Sequence, residues 1–453
     1  MMENRYDKYK DSGIAWIGEI PEHWKVRRMK SIYNFGKGLN ITKADLVDKG
    51  IPVISYGQIH SKLNIGTCIK DSLIRYVPKV FLENNNTSLV KKGDVIFADT
   101  SEDLEGCGNC IYIDRDMLLY AGYHTIIAKN ISTSYNRYFS YLFQTDCWRF
   151  QIRRMVNGVK LFSIPQKLLA STDVITPSTQ EQQSIAAYLD QKCGEIDELI
   201  TLQEEMITKL QSYKQSVITE AVTKGLDKNV PLKDSGIEWI GMIPEHWEVK
   251  RLKNLGYLYG GLTGKTGNDF NVEEGDNYEY FIPFTNIFNN MYVDMNLLGK
   301  VKVSPNEKQN KVIKNDILFL MSSEDYDGIG KSSLCKENHP YPLYLNSFCK
   351  GLRVENKFKS IFLNYFMNSA VGKYFCQIAS NGFIRINLRQ DKLLACPILC
   401  PPLPEQQSIA DYLDQRCSKI DELISIKQQK IEKLKEYKKS LIFECVTGKR
   451  KVS

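Results

Sequence analysis

The amino-acid sequence predicts an α+β protein in which two α/β domains are separated by two long antiparallel helices. Three observations support this class: a short leader occurs twice, a long helical segment occurs twice, and the segments between them differ. Repeats of this kind decide the architecture, because missing them misassigns every element in between. The chain therefore reads as an internal duplication with pseudo-two-fold organisation.

The leader is the first repeated element. "KDSGIAWIGEIPEHWKVRRMK" begins at Lys10 and "KDSGIEWIGMIPEHWEVKRLK" begins at Lys233, and about 16 of 21 positions agree. Its tryptophans and proline predict an aromatic-anchored segment that packs onto the domain it introduces. His23 and His246 are candidates for catalysis, but no nucleophile or partner base stands at a defined spacing. A structural role is therefore favoured for both.

The second repeated element is a helix. "EQQSIAAYLDQKCGEIDELITLQEEMITKLQSYKQSVITEAVT" begins at Glu181 and "EQQSIADYLDQRCSKIDELISIKQQKIEKLKEYKKSLIFECVT" begins at Glu405, with about 26 of 43 positions identical. Apolar residues recur in steps of three, four and seven, which is typical of a coiled-coil seam. The predicted helix-pairing residues are Ile196, Ile200, Ile207, Leu210 and Val217 in the first copy and Ile420, Ile424, Ile431, Leu434 and Leu441 in the second.

A helix with one narrow apolar stripe needs a partner, and the nearest candidate is its own duplicate. Two equivalent units make a closed contact when a two-fold axis relates them, and such an axis makes the helices antiparallel. The alternative is that each helix packs only into its own domain, against which the polar residues around most of each helix count. A helix from about Ile196 to Val222 would be about 40 Å long.

The segments between the repeats correspond only faintly. "KKGDVIFADTSEDLEG" from Lys91 matches "IKNDILFLMSSEDYDG" from Ile313, and "NGVKLF" from Asn157 matches "NGFIRI" from Asn381. We call the repeated leaders and helices the frame and the segments between them the inserts. The frame is expected to have the same function in both copies, and the two unlike inserts are expected to have different functions. The predicted boundaries are 1–176 for the first domain, 177–225 for the central helix, 226–400 for the second domain and 401–453 for the last helix.

Composition sets outer limits on function. The 453 residues carry a formal net charge of +7, which is compatible with a nucleic-acid partner without being diagnostic of one. No apolar run approaches the roughly 20 residues that span a bilayer, and the polar start of the chain lacks a secretory signal. The twelve cysteines are then expected to be reduced thiols in the cytoplasm.

Motifs for metals, cofactors and catalysis are incomplete. Cys107 and Cys110 form a lone CxxC, and Cys335 stands four residues before His339. A structural zinc site needs a second pair of ligands, and neither of these pairs has one nearby. "GIGKSS" has Asp325 where a phosphate-binding loop requires glycine. "NHPY" has histidine where the amino-methyltransferase tetrapeptide has proline. The sequence therefore predicts no catalytic residue, no cofactor site and no metal.

The repeated leader "SGIAWIGEIPEHW" and the repeated "EQQSIA", "YLDQ" and "IDELI" resemble the specificity subunit of bacterial type I restriction–modification systems. The similarity covers essentially the whole chain. It implies a non-catalytic DNA-binding protein with two target recognition domains, each reading one half of an asymmetric bipartite site. A helix pair about 40 Å long would hold the two domains about one turn of B-DNA (about 34–36 Å) apart, so the helices are predicted to set the gap. The resemblance also implies that two methyltransferase subunits dock on the helical region and that restriction subunits join them. S-adenosylmethionine would belong to those partners.

The candidate DNA-binding residues lie in insert loops rich in glycine, hydroxyl and basic side chains, because base edges are read by such groups while phosphate contacts set position. They are Lys37, Lys43, Thr100, Ser101 and Lys160 in the first insert and Lys265, Ser322, Ser323, Lys331, Arg385 and Arg389 in the second. For each, a solvated loop charge is the competing interpretation.

Two other interpretations of the whole chain remain open. One is a methyltransferase or nuclease with a degenerate site, and the other is a structural coiled-coil scaffold. The acidic pairs Glu102–Asp103 and Glu324–Asp325 resemble metal ligands, but acceptors that orient arginines or meet cytosine are simpler.

Overall fold

The computed structural model describes residues 5–14, 16–82, 86–132, 134–158, 160–273 and 277–452. The chain divides into two compact units: unit 1 comprises Met1–Gln203 with Gln429–Ser453, and unit 2 comprises Glu204–Gln428. Each unit therefore contains one leader, one insert and a part of both long helices.

Unit 1 begins with the first leader and continues through its insert to the first long helix. Its strands are β1 (Tyr9–Asp11), β2 (Glu19–Pro21), β3 (Lys25–Arg28), β4 (Tyr33–Lys37), β5 (Ile51–Ile54), β6 (Arg75–Val77), β7 (Leu89–Val90), β8 (Val95–Ala98), β9 (Thr100–Ser101), β10 (Cys110–Tyr112), β11 (Leu119–Ala121), β12 (Thr125–Asn130), β13 (Phe162–Ser163) and β14 (Asp173–Thr176). Its helices are α1 (Tyr56–Ile59), α2 (Asn136–Leu142), α3 (Asp146–Met155), α4 (Gln166–Ser171) and α5 (Thr179–Lys224), the last continuing into unit 2.

Two four-stranded sheets form the body of the first insert. One is antiparallel with the order β10-β8-β12-β4, and the other has the order β6-β5-β11-β7 with β5 and β11 parallel. The β8 residues, Val95–Ala98, are buried on both faces because a separate apolar cluster lies against each side. Strand β14 pairs with β3 of the leader, so the insert leaves and rejoins the frame at one place.

Unit 2 repeats this order with different sequences. Its strands are β15 (Leu232–Asp234), β16 (Met242–Pro244), β17 (Glu248–Arg251), β18 (Gly256–Gly260), β19 (Glu279–Ile282), β20 (Gly299–Val301), β21 (Ile317–Leu320), β22 (Ser322–Ser323), β23 (Ser332–Leu334), β24 (Leu343–Leu345), β25 (Cys349–Val354), β26 (Ile386–Asn387) and β27 (Pro397–Cys400). Its helices are α6 (Gly267–Phe270), α7 (Phe284–Asn289), α8 (Ser360–Asn368), α9 (Ala370–Ile378), α10 (Gln390–Leu394) and α11 (Leu403–Val446), the last continuing into unit 1.

The sheets of the second insert follow the same plan. An antiparallel sheet has the order β18-β25-β21-β23, and a three-stranded sheet has the order β20-β19-β24 with β19 and β24 parallel. Strand β27 closes the insert by pairing with β17 of the second leader, as β14 does with β3. The predicted α+β duplication is confirmed.

The long helices have 46 residues in α5 and 44 in α11. The coiled-coil spacing begins only at about Ile196, so it covers a part of each helix. Residues before that spacing, such as Ile185, Leu189 and Cys193 of α5, are buried in the core of unit 1 instead. Each helix therefore serves first as part of a domain core and then as part of a helix pair.

The helices pair antiparallel within each unit. In unit 1, Lys438 of α11 lies 2.6 Å from Asp197 of α5, and in unit 2 Lys214 of α5 lies 2.6 Å from Asp421 of α11. These ion pairs are equivalent under the repeat, because the residues correspond at an offset of 224. All ten predicted seam residues are buried or half-buried.

Among the described residues, no helix is long and apolar enough to cross a membrane. The polar start used in the signal-peptide prediction lies partly outside those residues, since residues 1–4 are not described. Within the same described ranges, no group of three or more His, Cys, Asp or Glu side chains could hold a metal ion.

Candidate nucleic-acid interface

Four segments of unit 1 meet at one edge of its insert. They are α1, strand β9, the loop after β11, and β13, which pairs antiparallel with β9 in the register Phe162↔Ser101 and Ser163↔Thr100. This pairing brings the Thr100–Ser101 segment to the loop that carries Lys160. We call this region the first loop cluster, defined by Tyr56, His60, Thr100, His124 and Lys160.

Aromatic and imidazole side chains dominate the first loop cluster. Nε2 of His60 lies 2.8 Å from the carbonyl oxygen of Thr100, and the ring of Tyr56 lies 5.5 Å from those of Tyr123 and His124. His124 has a positive φ of 52°, and its Nδ1 lies 3.2 Å from Oδ1 of Asp99. The prediction missed these four rings because no periodicity or motif connects positions 56, 60, 123 and 124.

The equivalent segments meet in unit 2. Strand β22 pairs with β26 in the register Ser322↔Asn387 and Ser323↔Ile386, while α7 and the loop after β24 lie beside them. Nε of Arg385 donates to Oγ of Ser322 at 2.7 Å, and its guanidinium carbon lies 4.8 Å from the ring centre of Phe348. We call this region the second loop cluster, defined by Phe288, Ser322, Lys331, Phe348 and Arg385.

Lys331 belongs to the second loop cluster but is only half exposed. Its ammonium lies 3.8 Å from the ring centre of Phe288 and donates to the carbonyl oxygen of that residue at 3.3 Å. Burial lowers the pKa of Lys331, and the neighbouring Asp325 and Asp327 oppose this effect. The side chain is therefore held against an aromatic ring rather than extended into solvent.

The acidic residues beside β9 and β22 close tight turns. The Gly328 amide donates to Oδ1 of Asp325 at 2.7 Å, and the Gly106 amide donates to Oδ1 of Asp103 at 2.5 Å. A β-carbon at either glycine would come within 2.6 Å of a neighbouring serine hydroxyl. The two turns thus have one geometry, and each aspartate has a structural acceptor role in it.

Exposure divides the predicted DNA-binding residues. The exposed ones are Lys37, Lys43, Lys160, Arg385 and Arg389, while Thr100 and Lys331 are half-buried and Ser101, Ser322 and Ser323 are buried. Lys265 is 5% exposed at its side chain and lies 2.6 Å from Glu307, which neutralises it. In unit 2, strand pairing brings Ser322, Ser323 and Arg385 together. In unit 1, it brings Thr100, Ser101 and Lys160 together. Lys37 and Lys43 lie apart from them, on the segment that begins in β4.

Each insert is fastened to its long helix by one repeated aspartate. In unit 1, Oδ1 of Asp190 accepts from the Tyr141 hydroxyl at 2.6 Å and from Nε of Arg137 at 2.9 Å. In unit 2, Oδ1 of the corresponding Asp414 accepts from Tyr365 at 2.6 Å and also from Tyr292. Lys336 donates to Oδ2 of Asp414 at 3.0 Å.

These hydrogen bonds shift the pKa values of the groups that make them. Partial burial acts to raise the pKa of Asp414, but hydrogen bonds from Tyr292, Tyr365 and Lys336 outweigh it, so the pKa is lowered. Burial, the nearby Tyr292 and the hydrogen bond to Asp414 raise the pKa of Tyr365 far above its ordinary range. The carboxylate therefore stays ionised and the tyrosines stay as donors, which keeps the insert fixed on its helix.

The leaders are fastened in the same way. In unit 1, Glu181 at the start of α5 accepts from the Trp24 indole at 3.1 Å and lies 2.8 Å from Nε2 of His23. In unit 2, Glu405 accepts from Trp247 at 3.1 Å and lies 2.8 Å from His246. Partial burial acts to raise the pKa of Glu181, yet hydrogen bonds from Ser178, His23 and Trp24 lower it to about 2. These contacts give both histidines a structural role.

The first leader also packs onto the last turns of α11. The Tyr9 hydroxyl donates to the Gly448 carbonyl at 2.9 Å, and a β-carbon at Gly448 would come within 2.3 Å of Pro21. In unit 2, Gly225 at the end of α5 lies against Trp247 and Pro244 of the second leader. The glycine that ends each long helix is thus the site where a leader approaches closely.

Each repeated unit thus carries a loop cluster at an equivalent place, and the two clusters differ chemically. A family profile described as the type I restriction modification DNA specificity domain matches the chain twice, at residues 21–211 and 244–436. The chain belongs to this family.

Individual relatives support the same assignment. The chain is 25% identical over 446 residues to the putative type I restriction enzyme MjaX specificity subunit of Methanocaldococcus jannaschii, covering 96% of each chain. It is 28% identical over 209 residues to the EcoKI specificity subunit of Escherichia coli, covering 46% of this chain and 44% of that one. Both relatives are named as specificity subunits of type I restriction enzymes.

Solved structures share the fold. A chain from a study of complex assembly and conformational transition of the type I R-M system aligns with a TM-score of 0.69 at 15% identity, covering 94% of this chain and 98% of that chain. The HsdS subunit of Thermoanaerobacter tengcongensis aligns with a TM-score of 0.51 at 16% identity, covering 95% and 98%.

Proposed function

We propose that this protein is the non-catalytic DNA-recognition subunit of a type I restriction–modification complex, in which each loop cluster reads one half of an asymmetric bipartite site. The observation that carries this proposal is the contrast between frame and inserts. The Asp190 and Asp414 contacts, the leader contacts and the helix pairing recur in both units, whereas the loop clusters at equivalent places differ in every exposed side chain named above.

The exposed members of each cluster are the proposed DNA contacts. Arg385 carries a guanidinium suited to guanine, and Lys160 and Arg389 carry cations suited to phosphate or guanine. The buried Ser101, Ser322 and Ser323 support these contacts by strand pairing and by orienting Arg385. Lys265, already paired with Glu307, is proposed to stabilise its loop instead.

The paired helices are proposed to set the gap between the two half-sites. Helix residues repeat at 1.5 Å, so a gap-setting helix pair converts inserted turns directly into distance along the duplex. The domain boundaries at 1–176, 177–225, 226–400 and 401–453 belong to this proposal. Two methyltransferase subunits are proposed to bind the helical frame, to supply S-adenosylmethionine, and to be joined by restriction subunits in the cytoplasm.

Genome-wide mapping of methylated bases tests this proposal. A strain with the chain and its partner genes is compared with the same strain lacking only the chain. We expect methylation at one bipartite motif, lost entirely in the deletion strain. A variant with four residues inserted after Leu210 is expected to change the gap while both half-sites stay the same.

Three outcomes would contradict the proposal or a part of it. Methyl transfer by the isolated chain would show that it has a catalytic site of its own. A partner complex that methylates the same positions with and without the chain would reduce the chain to a scaffold. A change in a half-site, without a change in the gap, would refute the role of the helices in the insertion variant.

A further inference from the structure

Two apolar side chains stand almost free of the protein in the loop that precedes β26. Phe383 is 103% exposed and Ile384 is 90% exposed, more than any other large hydrophobic residue in the described part of the chain. Adjacent exposed hydrophobic residues of this size are uncommon on a monomer and mark a surface that is covered by a partner. Their exposure therefore needs a functional explanation.

The loop is firmly anchored on both sides of this tip. The Asn381 and Asn387 backbones exchange hydrogen bonds of 3.0 and 2.9 Å, and a β-carbon at Gly382 would lie 2.0 Å from the Arg385 carbonyl oxygen. Gly382 has a φ of +146°, which favours glycine. Ile386 and Leu388, directly after the tip, are 4% and 3% exposed. The fold thus presents the tip from a built turn.

The surroundings of the tip favour one kind of partner. Arg385 stands next to Ile384, stacks on the half-exposed Phe348 and contacts Ser322, and Arg389 is 73% exposed at its side chain. Arginines beside an aromatic ring suit a partner that offers phosphates and flat apolar rings together. Exposed carboxylates on the turn after β22, including Glu324 and Asp327, disfavour an anionic membrane surface but can accept from a cytosine amino group. Duplex DNA offers all of these chemistries.

Building on the DNA-recognition function proposed above, we infer that Phe383 and Ile384 form a wedge that enters between two adjacent base pairs of the half-site read by unit 2. Apolar side chains inserted in this way unstack a base step and bend the duplex, and Phe and Ile are among the residues that do so. The wedge adds specificity because pyrimidine–purine steps open most readily. Arg385 and Arg389 hold the flanking strand while the step is open.

The equivalent loop of unit 1 has different chemistry at this place. By the offset of 224, Lys160 corresponds to Ile384 and Leu161 corresponds to Arg385. Val159, which corresponds to Phe383, lies outside the described residues. A cation at the position of Ile384 suits phosphate contact, so the wedge is inferred for the second half-site.

The test uses the complete chain assembled with its methyltransferase subunits and the motif mapped as described above. Duplexes carry 2-aminopurine at successive positions of the unit 2 half-site, away from the methylated base. With saturating wild-type complex, fluorescence is expected to rise at one base step, and Phe383→Ala is expected to abolish that rise. Loss of a stacked aromatic should weaken DNA binding roughly 10- to 100-fold. The salt dependence of binding stays unchanged because no phosphate contact is removed.

Matched variants separate the wedge from general effects. Phe383→Trp is expected to keep the fluorescence rise, since a larger ring still enters the step. Leu232→Ala, which truncates a 47% exposed residue of the leader strand β15, should leave DNA binding unchanged. Because Phe383 makes so little contact with the protein, Phe383→Ala should also melt at the wild-type temperature.

Three results would overturn the inference. Identical fluorescence profiles and affinities for wild type and Phe383→Ala would eliminate the wedge while leaving the recognition function intact. Failure of the variant to assemble with its subunits, with DNA selectivity retained, would assign the tip to a protein partner. A wild-type complex without sequence preference would refute the recognition function and the wedge together.

Discussion

The two loop clusters are assembled from equivalent segments, yet the first combines tyrosine and histidine rings with Lys160, and the second combines phenylalanine rings with Arg385 and Lys331. In unit 1, Tyr56 packs against Tyr123 and His124 of the loop after β11. In unit 2, Phe348 of the equivalent loop, after β24, stacks with Arg385. The supporting turns keep one geometry, with Asp103 and Asp325 each accepting from a glycine amide. The backbone of the cluster is thus conserved between the units, and its exposed chemistry is free to vary.

The frame shows the opposite behaviour. Asp190 and Asp414 occupy the same helix position and accept from the same repeated tyrosine, although their other donors differ. Glu181 and Glu405 bind the same tryptophan and histidine of their leaders. Contacts that fix an insert on its helix are therefore retained, because a shift there would displace every residue of the loop cluster at once.

The largest loss of stability is expected when the contacts of Asp190 or Asp414 are broken. Asp190→Asn and Asp414→Asn should each lower the free energy of unfolding by about 2 kcal/mol, because tyrosine and cationic donors lose a charged acceptor. Both carboxylates are partly exposed, which keeps the effect below that of a fully buried pair. Chemical denaturation measures the loss, and hydrogen exchange should place it in the insert of the altered unit.

Asp411→Asn is the matched control, since Asp411 is exposed on the same helix one turn earlier. An equal loss in that variant would show that helix charge, rather than fastening of the insert, explains the result. Hydrogen exchange that rises in both inserts after either substitution would contradict the independence of the two units.

A smaller effect is expected at Glu181. Its pKa in the folded protein is about 2, below the value of 4.5 for an unperturbed glutamate, so folding favours the ionised form. The resulting stability is fully present above pH 4.5 and is lost as the pH falls toward 2, contributing about 1 kcal/mol after allowance for partial exposure. Glu181→Gln should flatten this part of the pH profile of unfolding.

The exposed Glu198→Gln on the same helix controls for the loss of one charge. If both variants retain the wild-type slope between pH 4.5 and 2, the leader contact does not contribute to acid stability. Hydrogen exchange in the first leader provides a local readout of its release, because the Trp24 indole donates to the Glu181 carboxylate.

The smallest effect is expected in the helix pair. Lys214→Met and Lys438→Met each remove one equivalent ion pair to Asp421 or Asp197, and both aspartates are about half exposed. Each change should lower the free energy of unfolding by about 0.5 kcal/mol, as is usual for exposed pairs. Lys209→Met, at an exposed position of α5, is the control, and urea denaturation at low and high salt measures the difference.

The duplication made much of the frame predictable from the sequence. Two copies of one leader and one helix identify equivalent positions, and the seam from Ile196 to Val217 follows from apolar spacing alone. The seam pattern does not extend over the whole helix, because Ile185 and Leu189 turn toward a domain core. Asp190 and Asp414 were not recognised, although "YLDQ" occurs twice, because their donors lie about 50 residues away in the sequence.

The loop clusters were predictable only in part. Hydroxyl and basic residues near the "SED" and "NG" motifs indicated loops that β9 and β22 bring together in the structure; their contact with DNA stays a prediction. Burial of Ser101, Ser322 and Ser323 was not foreseen, since it arises from pairing with strands some 60 residues later. Exposure of Phe383 depends on a turn held by Asn381 and Asn387, which composition does not show.

The first leader packs against Gly448, at the far end of the sequence, and this contact bears on the order in which the repeats can be joined. In unit 1 the leader and the helix end come from distant parts of the sequence, while in unit 2 the same contact joins neighbours around Gly225 and Pro244. The same packing thus forms whether or not a short stretch of chain joins the helix end to the leader. A circularly permuted chain that is opened between Gly225 and Pro244, and closed between Gly448 and the first leader, is therefore expected to keep both contacts.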